Sequence, residues 1–147
     1  MAARQYGHGP DQIDPFFAYK REWSKVKDEI VSKYFACYLK TIPKRGRRIV
    51  IVDGFSGPGN FGDGNDGSPL TICKAVRAAH VEVGVTCLFA EAHPVHRTVL
   101  AETLQEYAGI AEPPLPDFPT ALARALRLAA MQRSFSTSIP TALKTLT

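Results

Sequence analysis

Two acidic residues stand where a ligand could be held. Asp53 follows the β-branched run Arg48–Val52, and Glu91 follows the apolar run "VGVTCLFA" of residues 83–90. Both runs read as strands, the first as one covered on both faces. In a parallel α/β sheet, ligands gather at the carboxyl ends of strands. Neighbouring strands would therefore set the two carboxylates on one rim. Between them lies Gly54-Phe55-Ser56-Gly57-Pro58-Gly59, the start of a segment that uses glycine six times between residues 49 and 72. Glycine turns sharply and lets a ligand approach the backbone where a Cβ would stand in the way.

The spacing narrows the chemistry. A phosphate-binding P-loop needs GxxxxGK[ST], and no lysine stands at that place. A dinucleotide fingerprint runs straight into its helix, whereas eight residues separate Gly59 from Ser68. An acid at the end of the second strand can accept hydrogen bonds from both hydroxyls of a ribose, each worth about 1.5–3 kcal/mol. Asp53 beside the glycine turn could face a cationic group. S-adenosylmethionine, with a ribose, a sulfonium and an ammonium, suits the pair. NAD would use Glu91 equally well and has less need of Asp53.

These residues need a scaffold. Asp14-Pro15 reads as a cap and a first-turn proline. Trp23, Val26, Ile30, Tyr34 and Cys37 then recur at three- and four-residue steps, widened by Val31, Phe35 and Leu39. This predicts an amphipathic helix to about residue 41 with that stripe inward. Ser68-Pro69 opens a second helix through Leu70, Cys73, Val76 and Ala79. Pro94 opens a third, with Val95, Val99, Leu100, Leu104 and Tyr107 on its buried side. The alternation of helix and strand predicts an α/β fold, a Rossmann-like three-layer parallel sheet, incomplete, with an N-terminal helix packed on it. Residues 1–13 read as a flexible tail and 14–108 as the α/β domain. Residues 109–147 read as a proline-rich linker and a tail in which 120–133 favours helix.

Composition sets outer bounds. The chain has 147 residues, 45% hydrophobic and 22% charged, as for one globular domain. Its net charge of +4 is uneven: residues 1–48 carry eleven Lys/Arg against five Asp/Glu, with a peak at Lys44-Arg45-Gly46-Arg47-Arg48. Such a cluster is a solvated loop or a contact for nucleic acid or an acidic protein. Cys37, Cys73 and Cys87 form no CxxC, and His93 and His96 lack a third ligand, so neither a disulfide framework nor a metal is expected. Cys73 and Cys87 sit on apolar elements as small hydrophobes. The segment before Pro15 lacks the apolar core of a signal peptide, and no apolar run reaches membrane-spanning length. A cytoplasmic protein with no membrane contact is expected.

Trp23, Lys25, Tyr34, "RRIVIVDGFSGPGNFGDGNDGSPL" and "LFAEAHP" together resemble the three-Cys-motif partner (TcmP) family, and the first-strand loop is similar to the first motif of Rossmann-like S-adenosylmethionine-dependent methyltransferases. The likeness spans about residues 20 to 107. It implies that Asp53, Gly54, Phe55, Gly57 and Gly59 line the methionine side of a cofactor pocket, that Glu91 holds the ribose, and that Ala92 and His93 flank the adenine. It also implies a three-Cys-motif protein as partner. The acceptor-side motif of such methyltransferases has no counterpart here, because Asp117-Phe118-Pro119 lies in the proline-rich stretch. The chain is accordingly expected to be truncated, a methyltransferase only if a C-terminal half is supplied. The alternative is a non-catalytic interaction fragment with a basic surface for an acidic protein or nucleic acid.

Overall fold

The structure, a computed structural model, describes residues 4–41, 48–79 and 84–137. Of the basic cluster only Arg48, exposed, falls among them; Lys44 to Arg47, His80, Val83 and the final ten residues lie outside the described residues.

A right-sized strand–helix–strand unit forms the centre. Strand β1 (Ile49–Asp53) and strand β2 (Val85–Phe89) pair in parallel, from Ile49 opposite Val85 to Asp53 opposite Phe89. Helix α2 (Ser68–Ala78) connects them, opening on Pro69 as the sequence predicts. Its Leu70, Ile72, Cys73 and Val76 are buried with Ile49, Ile51, Cys87 and Phe89 in one core. Helix α3 (Pro94–Thr103) adds Leu100, and the short 3-10 turn Gln105–Tyr107 adds Tyr107.

The described fold is thus mixed α/β with a two-stranded parallel sheet. The stretch expected to be a linker does structural work beside it. Cys87 donates its N–H to the Ile110 carbonyl at 2.8 Å, and Glu112 returns a bond to the Cys87 carbonyl at 3.1 Å. Leu115 donates to Phe89 at 2.8 Å, and Glu91 donates to Leu115 at 2.9 Å. Residues 110–115 therefore occupy the second edge of β2, with prolines 113 and 114 interrupting the ladder, as proline's missing N–H requires. Helix α4 (Phe118–Thr137) follows, its first turn capped by Asp117, whose Oδ1 accepts the Thr120 N–H at 2.7 Å. A forked pair, Arg124 on Glu112 at 2.7 and 3.1 Å, holds α4 to this edge segment.

The N-terminal region differs from the sequence expectation in two ways. Pro15 opens only a 3-10 turn, Pro15–Ala18, and helix α1 (Glu22–Thr41) begins after a break. Helix α1 also buries only part of the expected stripe, Leu39 in the core with Phe35 packed against it. Ser24, Asp28 and Leu39 are its buried residues, while Trp23, Val26, Ile30, Tyr34 and Cys37 are exposed. The reason is polar. Lys20, in the break, is buried and its ammonium reaches Asp28 at 2.5 Å and the Asp66 carbonyl at 2.6 Å. Removing those charges from water unpaired would cost several kcal/mol per ion, roughly. The ion pair turns inward the face of Asp28, which Phe35 and Leu39 share, and leaves Trp23, Val26, Ile30, Tyr34 and Cys37 outward.

The tail before the 3-10 turn also packs rather than trailing away. Gly7 donates its N–H to the Ile13 carbonyl and Ile13 donates to the Gln5 carbonyl, each at 2.9 Å, and the Arg4 guanidinium binds Asn60 in the glycine segment. No helix among the described residues is long and apolar enough to cross a membrane.

Candidate functional site at the carboxyl rim of the sheet

The parallel register brings Asp53 and Glu91 to one rim. Asp53 ends β1 opposite Phe89, and Glu91 lies two residues past Phe89. The glycine loop folds back between them: Ala90 donates to the Asp53 carbonyl at 2.9 Å, and Ser56 donates to the Ala90 carbonyl at 3.0 Å.

The two carboxylates are in different states. Asp53 Oδ1 accepts the Phe55 N–H at 3.2 Å, while Oδ2 is buried with no hydrogen-bond partner. Burial pushes the Asp53 carboxyl above its ordinary range, because a charged group loses its water there; the Phe55 bond and Lys27 act against this. Glu91 is engaged. Its Oε2 accepts the Gly57 N–H at 2.7 Å, and Oε1 accepts the His93 N–H at 2.9 Å. The acid expected to hold a ribose thus latches the glycine loop to the end of β2. Each carboxylate oxygen carries two lone pairs, so one on each remains for a further donor.

His93 and His96 form a stack with ring centroids 4.1 Å apart. His96 is buried, and its Nε2 accepts the Asp14 N–H at 3.0 Å. Nδ1 lies 3.8 Å from Glu91 Oε1. Burial, and then His93, push the His96 imidazole below its ordinary range, against the opposing pull of Glu91 and Asp14. His93 Nδ1 is buried without a partner, and Ala92 is exposed.

The glycines have internal neighbours. A Cβ on Gly54 would meet the Phe118 ring at 2.6 Å, and one on Gly57 would meet Phe17 at 2.8 Å. On Gly59 it would meet Leu100 at 3.0 Å. Gly57 and Gly59 also hold positive φ, of 65° and 92°. Much of the bare backbone therefore serves the packing of the loop against α3, α4 and the 3-10 turn. Phe55, 90% exposed, stacks on Phe118 at 6.5 Å.

A cavity of about 140 Å³ opens between α1, the 3-10 turn and the loop, lined in part by Trp23, Lys27, Phe55, Ser56, Pro58 and Ser68. Neither Asp53 nor Glu91 lines it. Sites for drug-sized ligands commonly measure about 300–1,000 Å³, so this cavity is too small for a whole nucleoside cofactor. Among the described residues no group of three or more His, Cys, Asp and Glu is placed to hold a metal ion.

The structure adds residues that sequence reasoning did not connect to the loop: Phe17, His96 and Phe118. The pair Phe16-Phe17 behind a proline was a signal of an anchor, but its target, Gly57, could not be read from spacing. Comparison of the chain with protein-family models, curated proteins and solved structures finds no match.

Proposed function

We propose that this chain carries a Rossmann-like, methyltransferase-type half-domain of three-Cys-motif partner character that binds S-adenosylmethionine at the carboxyl rim of β1 and β2, in a cytoplasmic setting. The observation that carries the reading is the buried, unpartnered Oδ2 of Asp53, one strand away from Glu91. A buried carboxylate oxygen without a donor is costly to the fold, and such groups concentrate at functional sites.

Two acceptors at the rim would meet the polar ends of such a ligand. Asp53 Oδ2 would accept from the methionine ammonium, and the free lone pairs of Glu91 would accept from ribose hydroxyls. Phe55 and Phe118 stand across Gly54, so a bound ligand would lie against their stacked rings. When bound, the cofactor would supply an activated methyl group. The protein's part would be positioning and electrostatics, with Asp53 neutralising the ammonium and the Glu91 latch keeping the loop in register. A three-Cys-motif partner protein would complete the assembly.

Calorimetric titration of S-adenosylmethionine into the wild-type chain and Asp53→Asn tests this, with circular dichroism to verify folding. Saturable binding, at least about tenfold weaker in the variant as expected for a lost charged bond of roughly 1.5–3 kcal/mol, supports the reading. A folded wild type that takes up no cofactor rejects it.

A further inference from the structure

We propose that the outward face of α1 is a self-association surface, on which a second copy of this chain docks antiparallel about a twofold axis at Ile30. The inference does not depend on the cofactor reading.

The face is large and apolar. Trp23, Val26, Ile30 and Tyr34 are 58%, 58%, 64% and 62% exposed, and Tyr38 and Cys37 extend the stripe. With aromatic side chains of about 150–250 Å² each, it presents on the order of 500 Å². That lies at the upper end of what a monomer ordinarily leaves to water. Two such stripes together bury on the order of 1,000 Å², the floor for a specific interface. The spacing 23, 26, 30, 34, 37 follows one side of a helix in steps of three and four, the pattern of a helix-pair seam.

Charge selects the occupant. At about 100° per residue, Glu22, Glu29, Lys33 and Lys40 fall along a single flank of the stripe, acids in the first half and bases in the second. An antiparallel second copy brings that flank against its own like, end for end. Glu22 and Glu29 of each copy then meet Lys40 and Lys33 of the other. A parallel twofold copy would set this flank against the opposite one, where Lys27, Val31 and Tyr38 offer its lysines no carboxylate. The same symmetry places Ile30 on Ile30, Val26 on Tyr34 and Trp23 on Cys37 of the second copy, as a self-complementary interface requires. The existing exposed pairs, Glu29 with Lys33 at 2.9 Å and Glu22 with Lys25 at 2.9 Å, lie within the helix and remain available for sharing.

Sedimentation equilibrium of the full chain tests the surface, with circular dichroism alongside. The wild type should weigh twice the 16.1 kDa chain, and Ile30→Asp should weigh one chain at unchanged helicity. The charge pattern gives a second test that leaves the apolar stripe intact. Glu22→Lys/Glu29→Lys and Lys33→Glu/Lys40→Glu should each be monomeric alone and form a dimer when mixed. A folded wild type that stays monomeric at the highest soluble concentration overturns the proposal, as does a dimer that survives Ile30→Asp. If the monomer instead sediments with phosphatidylserine-containing vesicles, the stripe faces lipid and the proposal falls.

Discussion

The Glu91 carboxylate accepts the Gly57 N–H at 2.7 Å across 34 residues of chain, and in doing so it ties the glycine loop after β1 to the end of β2. The same side chain accepts its own local His93 N–H at 2.9 Å, fixing the entry to α3. Glu91→Ala would leave two backbone donors without acceptors. Bonds to a charged group contribute about 1.5–3 kcal/mol each, so the variant should lose roughly 3 kcal/mol in urea unfolding. An unchanged midpoint would show that the latch contributes nothing.

Asp53 should show the reverse sign. Its folded carboxyl is pushed up by burial, so the folded state binds a proton more readily than the unfolded chain. Stability is then lost as pH rises from the ordinary carboxylate range through the folded value. Asp53→Asn removes the charge and should raise the denaturation midpoint at pH 7, with a smaller gain at pH 4. A less stable Asn variant at pH 7 would mean that the aspartate is satisfied in solution.

His96 predicts a loss on the acid side. Its folded imidazole is pushed down, first by burial and then by His93, while Glu91 and Asp14 pull the other way. The unfolded chain therefore binds the proton more readily, and stability falls as pH drops below about 6.5. Protonation also removes the acceptor for the Asp14 N–H. Thermal melts between pH 7.5 and 5 should show this slope in the wild type and a flatter one in His96→Gln.

Two glycines separate conformation from packing. Gly57 and Gly64 both have positive φ, but a Cβ on Gly64 would meet nothing within 4 Å. Alanine in the left-handed region costs about 1–2 kcal/mol at either site. At Gly57 the clash with Phe17 should add about 1–3 kcal/mol of overpacking. Equal losses in paired unfolding experiments would show that Phe17 does not press on the loop.

Lys20 is the buried cation that orients α1. Lys20→Met leaves the buried Asp28 with only the 4.0 Å contact to Lys27 and should cost about 3 kcal/mol. Lys20→Met/Asp28→Leu should recover most of it, because replacing both charges by apolar groups is often neutral. A double variant as unstable as the single would point to another cause.

Local patterns determined much by themselves. Proline at a first helical turn starts α2 and α3, β-branched runs make β1 and β2, and the alternation of helix and strand carries the mixed α/β character. The same patterns set Asp53 and Glu91 at strand ends, because a strand ends where its apolar run ends. Tertiary structure alone decided the rest. Which face of α1 is buried depended on Lys20 finding Asp28 and the Asp66 carbonyl, contacts that no helical period encodes. Residues 110–115 read as a proline-rich linker, yet the open edge of β2 offered backbone donors and acceptors that had to be satisfied. The glycines looked like a cradle for a ligand, and three of them make room for Phe118, Phe17 and Leu100. Sequence spacing reports periodicity along one element; it does not report which distant side chain will need the space a missing Cβ leaves.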